Sequence, residues 1–438
     1  MIDQHGWHWP PEEARTAAEV VEWLRRGGLG ANSELGVNGR GWGDEAVRSF
    51  LAAPELSALT ALAMYDNEIG DEGARVLAAC PYTAQLRALN LSWNSIGDAG
   101  AEALAASPYL GGLEELDLEE NRVGPAGAGA IAAAPFAPLL ASLELWGNRI
   151  GDEGARALVA GPGFPRLAML SLGVNKISDA GIVALTAAPF ERLAQLYLSG
   201  NEMAEGGLAA LVAAPYAPQL ALLTVAGAGI AGAAVRPLAE TARLPRLRHL
   251  EISQSPLRLA GARTLARAPW LESLAVLNLW DSLIGDGGAI ALAGSPAVAH
   301  LASLTLSGNR ITARGALALA TSPHLGRLTS LDLSNNRLRA EGARALAGGL
   351  RAGHLQALDL ADTVLGDEGA QALARSPLLA GLHRLSLARN GIGDAGAAAL
   401  LESAHLPATA TVSLGDNPIG ELLQRQLSAR YDEYRIVS

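Results

Sequence analysis

The stretch Leu86–Gly112, LRALNLSWNSIGDAGAEALAASPYLGG, decides the fold because it returns throughout the chain. Directly after it, Leu113 opens LEELDLEENRVGPAGAGAIAAAPFAPL, and further copies begin at Leu140, Leu167 and Leu193. Working outward in both directions, copies start at Leu59, Leu220, Leu247, Leu274, Leu301, Leu328, Leu355, Leu382 and Thr409. Every interval is 27 residues except that from Leu167 to Leu193, which is 26. A degenerate copy precedes them, with Leu35 and Val37 at the apolar positions and Asp44 shortly after. A fixed period of this length is the signature of stacked units, none of which can bury its own apolar face.

Each unit reads L-x-x-L-x-L-x-x-N-x-I-G-D-x-G-A-x-x-L-A-x-x-P. The L-x-L core alternates with period two and predicts a short strand with one buried face. Asp71, Asp98, Asp152, Asp179, Asp286, Asp367 and Asp394 stand just before helical runs. They are expected to cap the helices they open, at about 0.5–2 kcal/mol each. Ala74 with Leu77, and Ala101 with Leu104, give the i, i+3 apolar stripe of a short helix. Pro81, Pro108, Pro135, Pro162, Pro189 and Pro215 end it.

This frame resembles the leucine-rich repeat family, and the helix-bearing 27-residue unit is most similar to its ribonuclease-inhibitor-like subfamily. The resemblance covers roughly residues 32–427. It implies an α/β solenoid, a horseshoe with a concave parallel β-sheet and short outer helices. The domain expectation is an N-terminal tail and capping helix over 1–31, a solenoid over 32–420, and a C-terminal capping helix and tail over 421–438. The first cap is expected over 11–26, opened by Pro11, Glu12 and Glu13 and covering the first repeat with Val20, Val21 and Leu24. The last is expected to face the final repeat with Leu422, Leu423 and Leu427. His5 and His8, near Trp7 and Trp9, are too few to hold a metal and read as a disordered or packing tail.

In the family, the asparagine after the strand bonds loop backbone of the adjacent turn. It recurs here at Asn67, Asn94, Asn121, Asn148, Asn175, Asn201, Asn309, Asn336, Asn390 and Asn417. Ala228, Ser255, Ser282 and Thr363 replace it in four repeats. Ala228 cannot make the bond, so a local irregularity is expected at repeats seven to nine; drift covered by water is the alternative.

With the register fixed, every side chain has an address. Tyr82, Tyr109, Phe136, Phe164, Phe190, Tyr216 and Trp270 follow the helix-ending proline and should form a core spine. Tyr65, Trp93, Trp146, Tyr197 and Trp280 fall on outward strand positions and should stand on the concave face. Tyrosine and tryptophan are over-represented in interface hot spots; the alternative is mutual stacking between neighbouring strands.

Charge follows the same face. The four outward columns hold twelve acids, including Asp117, Glu119, Glu120 and Glu144, against two arginines, Arg384 and Arg389. Their balance of −10 nearly equals the whole chain's −11. Such a surface focuses potential and steers a cationic partner. Basic residues collect instead on loop edges, as at Arg122, Arg149, Lys176, Arg310 and Arg337.

Composition excludes several classes. An acidic chain of 438 residues with 33 bases, only one of them lysine, does not suit nucleic-acid binding. The lone Cys80 rules out a disulfide framework and fits a reducing, cytoplasmic compartment. There is no phosphate-binding lysine loop, zinc-protease helix or nucleophile elbow. The uncharged run from Gly206 to Val235 is interrupted by Pro215 and Pro218 and reads poorly as a membrane span. Asp117, Glu119 and Glu120 could share a proton, but an open sheet is expected to offer no dry pocket that would shift them.

The expected function is therefore a non-enzymatic scaffold or inhibitor, without cofactor or metal. It would hold a basic protein surface through Tyr65, Trp93, Asp117, Glu119, Glu120, Glu144, Trp146, Tyr197 and Trp280. Two alternatives stand beside it. One is a RanGAP-like activator of a small GTPase acting through Arg122 or Arg149 on the loop edge, an analogy of fold alone. The other is a carbohydrate-binding module using the tryptophans.

Overall fold

A computed structural model describes residues 8–431 except 13, 31–32, 228 and 350–353. The chain divides into two compact units, Met1–Leu223 and Thr224–Ser438.

In the first unit seven three-residue strands run parallel and in chain order: β1 (Glu34–Gly36), β2 (Ala61–Ala63), β3 (Ala88–Asn90), β4 (Glu115–Asp117), β5 (Ser142–Glu144), β6 (Met169–Ser171) and β7 (Gln195–Tyr197). An eighth, β8 (Leu222–Thr224), falls on the division. The second unit repeats the pattern with β9 (His249–Glu251), β10 (Val276–Asn278), β11 (Ser303–Thr305), β12 (Ser330–Asp332), β13 (Ala357–Asp359), β14 (Arg384–Ser386) and β15 (Thr411–Ser413). The central leucine of each strand pairs with its equivalent in the next, as Leu89 with Leu116 and Leu277 with Leu304. Those leucines are buried while their strand neighbours are mostly half-exposed, as the period-two pattern requires. The 26-residue interval leaves the register intact, with Met169 opposite Gln195. The missing residue lies in the turn between Pro189 and Leu193.

Helices return the chain from one strand to the next. Representative ones are Asp71–Ala78, Asp98–Ala105, Pro125–Ala133 and Gly151–Ala160. Each ends before its proline, and several prolines then open a 3-10 turn, as at Pro81–Thr83. Phe136, Phe164, Phe190, Tyr216 and Trp270 are buried as the spine predicts, whereas Tyr82 and Tyr109 are half-exposed. Phe190 meets Tyr216 edge-on at 5.4 Å between ring centroids.

The aspartates do not cap their own helices. Asp71 is the first residue of its helix, and no side chain caps that helix at Gly70. Its carboxylate reaches forward and accepts the N–H groups of Gly97 at 2.7 Å and Gly100 at 2.9 Å, both in the next repeat. Asp98 does the same for Gly124 and Gly127, Asp152 for Ser178 and Gly181, Asp286 for Thr312 and Gly315, and Asp367 for Gly393 and Gly396. The forward reach has a steric basis. A methyl group on Gly100 would lie 2.7 Å from the Asp71 oxygen, so the glycine of the G-D-x-G motif clears space for the preceding repeat's carboxylate.

The asparagine ladder forms as expected. The Asn121 amide donates to the carbonyls of Leu91, Leu118 and Glu119, and its oxygen accepts the Ile96 N–H. Ser282 and Thr363 recover part of this with their hydroxyls, donating to Ile252 and Leu360 respectively. Ala228 lies outside the described residues. Repeat seven is irregular: a 3-10 turn (Gly232–Val235) and a five-residue helix (Arg236–Glu240) stand in place of one longer helix. Repeats eight and nine keep ordinary helices, Arg258–Leu265 and Gly285–Ala293. The irregularity is therefore narrower than expected.

Both terminal segments differ in detail from expectation. The first helix is Ala17–Arg25, capped by Thr16 in a capping box with Glu19, so Pro11, Glu12 and Glu13 do not open it. Val20, Val21 and Leu24 are buried there as expected. His8 bridges Leu35 and stacks on Trp23 at 5.5 Å, so this part of the tail packs. His5 and Trp7 lie outside the described residues. In the last helix, Glu421–Arg430, Leu427 is buried but Leu422 is 72% exposed. Five residues advance a helix by about 500°, which turns Leu422 away from the face of Leu427. Tyr431 covers the end instead, its hydroxyl donating to the Leu400 carbonyl.

Candidate functional site

The acids of repeats three and four come together on the sheet face opposite the helices. Parallel pairing sets Asp117 directly beside Glu144, with Asn90 on its other side. Glu119 lies two residues along from Asp117, and its N–H donates to Asp117 Oδ1 at 2.9 Å. Asn90 Nδ2 donates to Asp117 Oδ2 at 2.7 Å. Carboxylate oxygens of Asp117, Glu119 and Glu144 lie within 4.8 Å of one another. Glu120 follows in a left-handed backbone conformation, φ 50°, its carboxylate lying over Gly147 of the next repeat.

Burial and mutual repulsion change these groups. The Asp117 carboxyl is pushed up to about 7, first by burial and also by Glu144, against the N–H it accepts from Glu119. Burial and neighbouring acids also raise Glu119 and Glu144. Burial raises the Tyr197 hydroxyl, with a further contribution from Glu144, so this ring shares the field of the cluster. The expectation that an open sheet leaves its carboxylates unshifted therefore fails. Neighbouring strands about 4.8 Å apart crowd side chains enough to desolvate them without a closed pocket. Asp332, opposite Asp359 in the second unit, is raised for the same reasons, burial first.

Chemically, such a trio suits a cation. It has the reach to share a metal ion, and the same convergence fits a lysine ammonium or an arginine guanidinium.

The aromatic residues differ among themselves. Trp93 is 58% exposed, Tyr65 41% and Trp280 40%. Trp146 and Tyr197 are half-exposed. Trp93 has φ 55°, the left-handed turn that the equivalent position takes in other repeats, as at Asp66, Glu120 and Val174. Trp146 lies flat over Gly173 of the next repeat, where a Cβ would fall 2.1 Å from the ring. Tyr197 donates from its hydroxyl to Gln195. Among the described residues no ring stacks one of these five on another. Tyr65, Trp93, Trp146 and Tyr197 belong to the first unit with the acids, and Trp280 belongs to the second.

Three residues escaped the sequence reading: Asn90, which grips Asp117, and Gly147 and Gly173, which admit Glu120 and Trp146. The glycines carried a signal, since each stands where an outward side chain belongs, beside a large neighbour one repeat earlier. Asn90 carried none.

No helix among the described residues is long and apolar enough to cross a membrane. No curated protein matches the chain at a significant level. A leucine-rich repeat family model matches residues 57–78, 85–105, 113–132, 138–159, 299–320, 328–347, 354–374 and 382–401. Among solved structures, the chain is similar to an internalin from Listeria monocytogenes, with 19% identity and a TM-score of 0.45, covering 90% of this chain and 94% of that one. It is also similar to a leucine-rich repeat protein of Leptospira interrogans, with 16% identity and a TM-score of 0.48, covering 95% of this chain and 91% of that one. Eight matched repeats, parallel strands in constant register and the asparagine ladder together make the chain a leucine-rich repeat protein.

Proposed function

We propose that the chain is a non-enzymatic interaction protein that seats a basic group of a protein partner on the open face of its sheet. The observation that carries this reading is the convergence of Asp117, Glu119 and Glu144 within 4.8 Å, with Asp117 held near neutrality by burial. A cluster that repels its own charges gains most from an incoming cation, because one ammonium or guanidinium relieves several unfavourable pairs at once. Glu120, Tyr65, Trp93, Trp146 and Tyr197, all of the first unit, supply the remaining acid and the aromatic surface around this seat. Exposed tryptophans with no stacking partner fit hot-spot anchors better than they fit internal packing.

The 27-residue helix-bearing unit supports membership of the ribonuclease-inhibitor-like subfamily, and a lone buried Cys80 fits a reducing cytoplasm. The same charge distribution disfavours nucleic acid as the ligand.

The test is capture of partners from the source cell by the wild type and by a Trp93→Ala/Trp146→Ala/Glu144→Ala variant. Capture by the wild type should weaken as salt rises, and the variant should lose those partners. The same partners recovered by both proteins would overturn the reading.

A further inference from the structure

A second charged feature of the first unit lies outside the acidic seat. Arg122, Arg149 and Lys176 each follow a ladder asparagine in three consecutive repeats, and all three are exposed. Their backbone is fixed. The Arg122 N–H donates to Ile96 and the Arg149 N–H to Val123, both at 2.8 Å, while Lys176 sits in a left-handed conformation at φ 57°. Strand spacing of about 4.8 Å places three cations along roughly 10 Å of loop edge. The equivalent positions carry Glu68 and Ser95 before the row and Glu202 after it, so the row is bounded.

Some arginines elsewhere in this unit are paired: Arg48 pairs with Glu72 at 2.7 Å, Arg75 pairs with the same carboxylate, and Arg87 reaches Glu114 at 4.0 Å. Among the described residues none of the three edge cations has an ion-pair partner. The edge also adjoins the seat, since Glu119 and Glu120 precede Arg122 by three and two residues. The sign of the surface reverses over that short distance.

We propose that the Arg122–Arg149–Lys176 edge is a second contact line for the same partner, taking a short acidic segment beside the basic group held by Asp117, Glu119 and Glu144. The inference rests on the reading of the open face as a cation seat, and it gives the partner a bipolar contact surface. Each exposed pair alone contributes little, because solvent screens it. Three in a row, joined to a second site, act at high effective concentration and fix the orientation of docking. A short carboxylate segment suits the edge better than a nucleic-acid strand, because a long polyanion running past three cations enters the field of the neighbouring acids.

Three labelled peptides test this on the full-length protein: hexalysine, hexaglutamate, and the two blocks joined by a short Gly-Ser linker. They are titrated against the wild type, an Arg122→Gln/Arg149→Gln/Lys176→Gln edge variant and a Glu119→Gln/Glu144→Gln seat variant, with circular dichroism confirming that each is folded. The joined peptide should bind the wild type about tenfold tighter than hexalysine. The edge variant should lose that gain and keep its affinity for hexalysine. A joined peptide no tighter than hexalysine, or a gain that survives in the edge variant, overturns the proposal while leaving the cation seat intact. Failure of hexalysine to bind the wild type overturns the seat itself. An oligothymidylate of six nucleotides that binds more tightly than hexaglutamate, and is lost in the edge variant, overturns the acidic segment in favour of nucleic acid.

Discussion

At the residue scale, single side chains do work that belongs to two repeats. Asn121 satisfies backbone groups of its own turn and of the preceding one, in a site where its side chain is buried. Asn121→Ala leaves those groups unpaired, so it should cost about 1–3 kcal/mol and lower the melting temperature visibly in a thermal scan. Glu144→Gln should act in the opposite direction. Its carboxyl is raised above the ordinary range, so the folded state disfavours the charged form. That penalty is absent at low pH and appears as pH rises through the native value. The variant should therefore melt higher than wild type at pH 8 and should match it near pH 4. An equal difference at both pH values would show that charge is not the cause. The ladder was legible because asparagine recurs at one offset. The raised carboxylates were not, because desolvation depends on how closely strands crowd Asp117, which no spacing in the chain reports.

At the scale of the element, strand and helix were read from periodicity and proline placement, but the partner of each helix-opening aspartate was not. An aspartate before a helical run has the same local pattern whether it caps its own helix or the next one. What distinguishes the two is the glycine three residues into the following helix, whose meaning emerges only when the repeats stack. Asp98→Ala should thus loosen Pro125–Ala133 more than its own helix, Asp98–Ala105. Hydrogen exchange at Gly124 and Gly127 should accelerate by about five- to thirtyfold, the equivalent of about 1–2 kcal/mol. Faster exchange confined to the start of the variant's own helix would contradict the assignment. The N-terminal helix teaches a similar lesson: Pro11, Glu12 and Glu13 look like a helix start, yet the reciprocal Thr16–Glu19 box sets it.

At the scale of the whole molecule, the repeat makes stability a sum of near-neighbour terms within each unit. Asn336→Ala should accelerate exchange around Leu306 and Ile311, to whose backbone Asn336 bonds, and leave protection at Leu91 and Ile96 unchanged. A uniform loss of protection across both regions would indicate all-or-none unfolding instead. The forward reach of the aspartates gives this molecule a polarity that its internal similarity conceals. Each carboxylate that settles a helix belongs to the repeat translated just before it, so on the ribosome the anchor always leaves the tunnel ahead of what it anchors. Trimming repeats from the C-terminal end leaves an idle acid and also removes the asparagine that serves the preceding turn, as Asn121 serves Leu91 and Ile96. Trimming from the other end cuts away the carboxylate that caps the next helix, as Asp71 caps the helix opening at Asp98, so the two directions of truncation remove different kinds of bond.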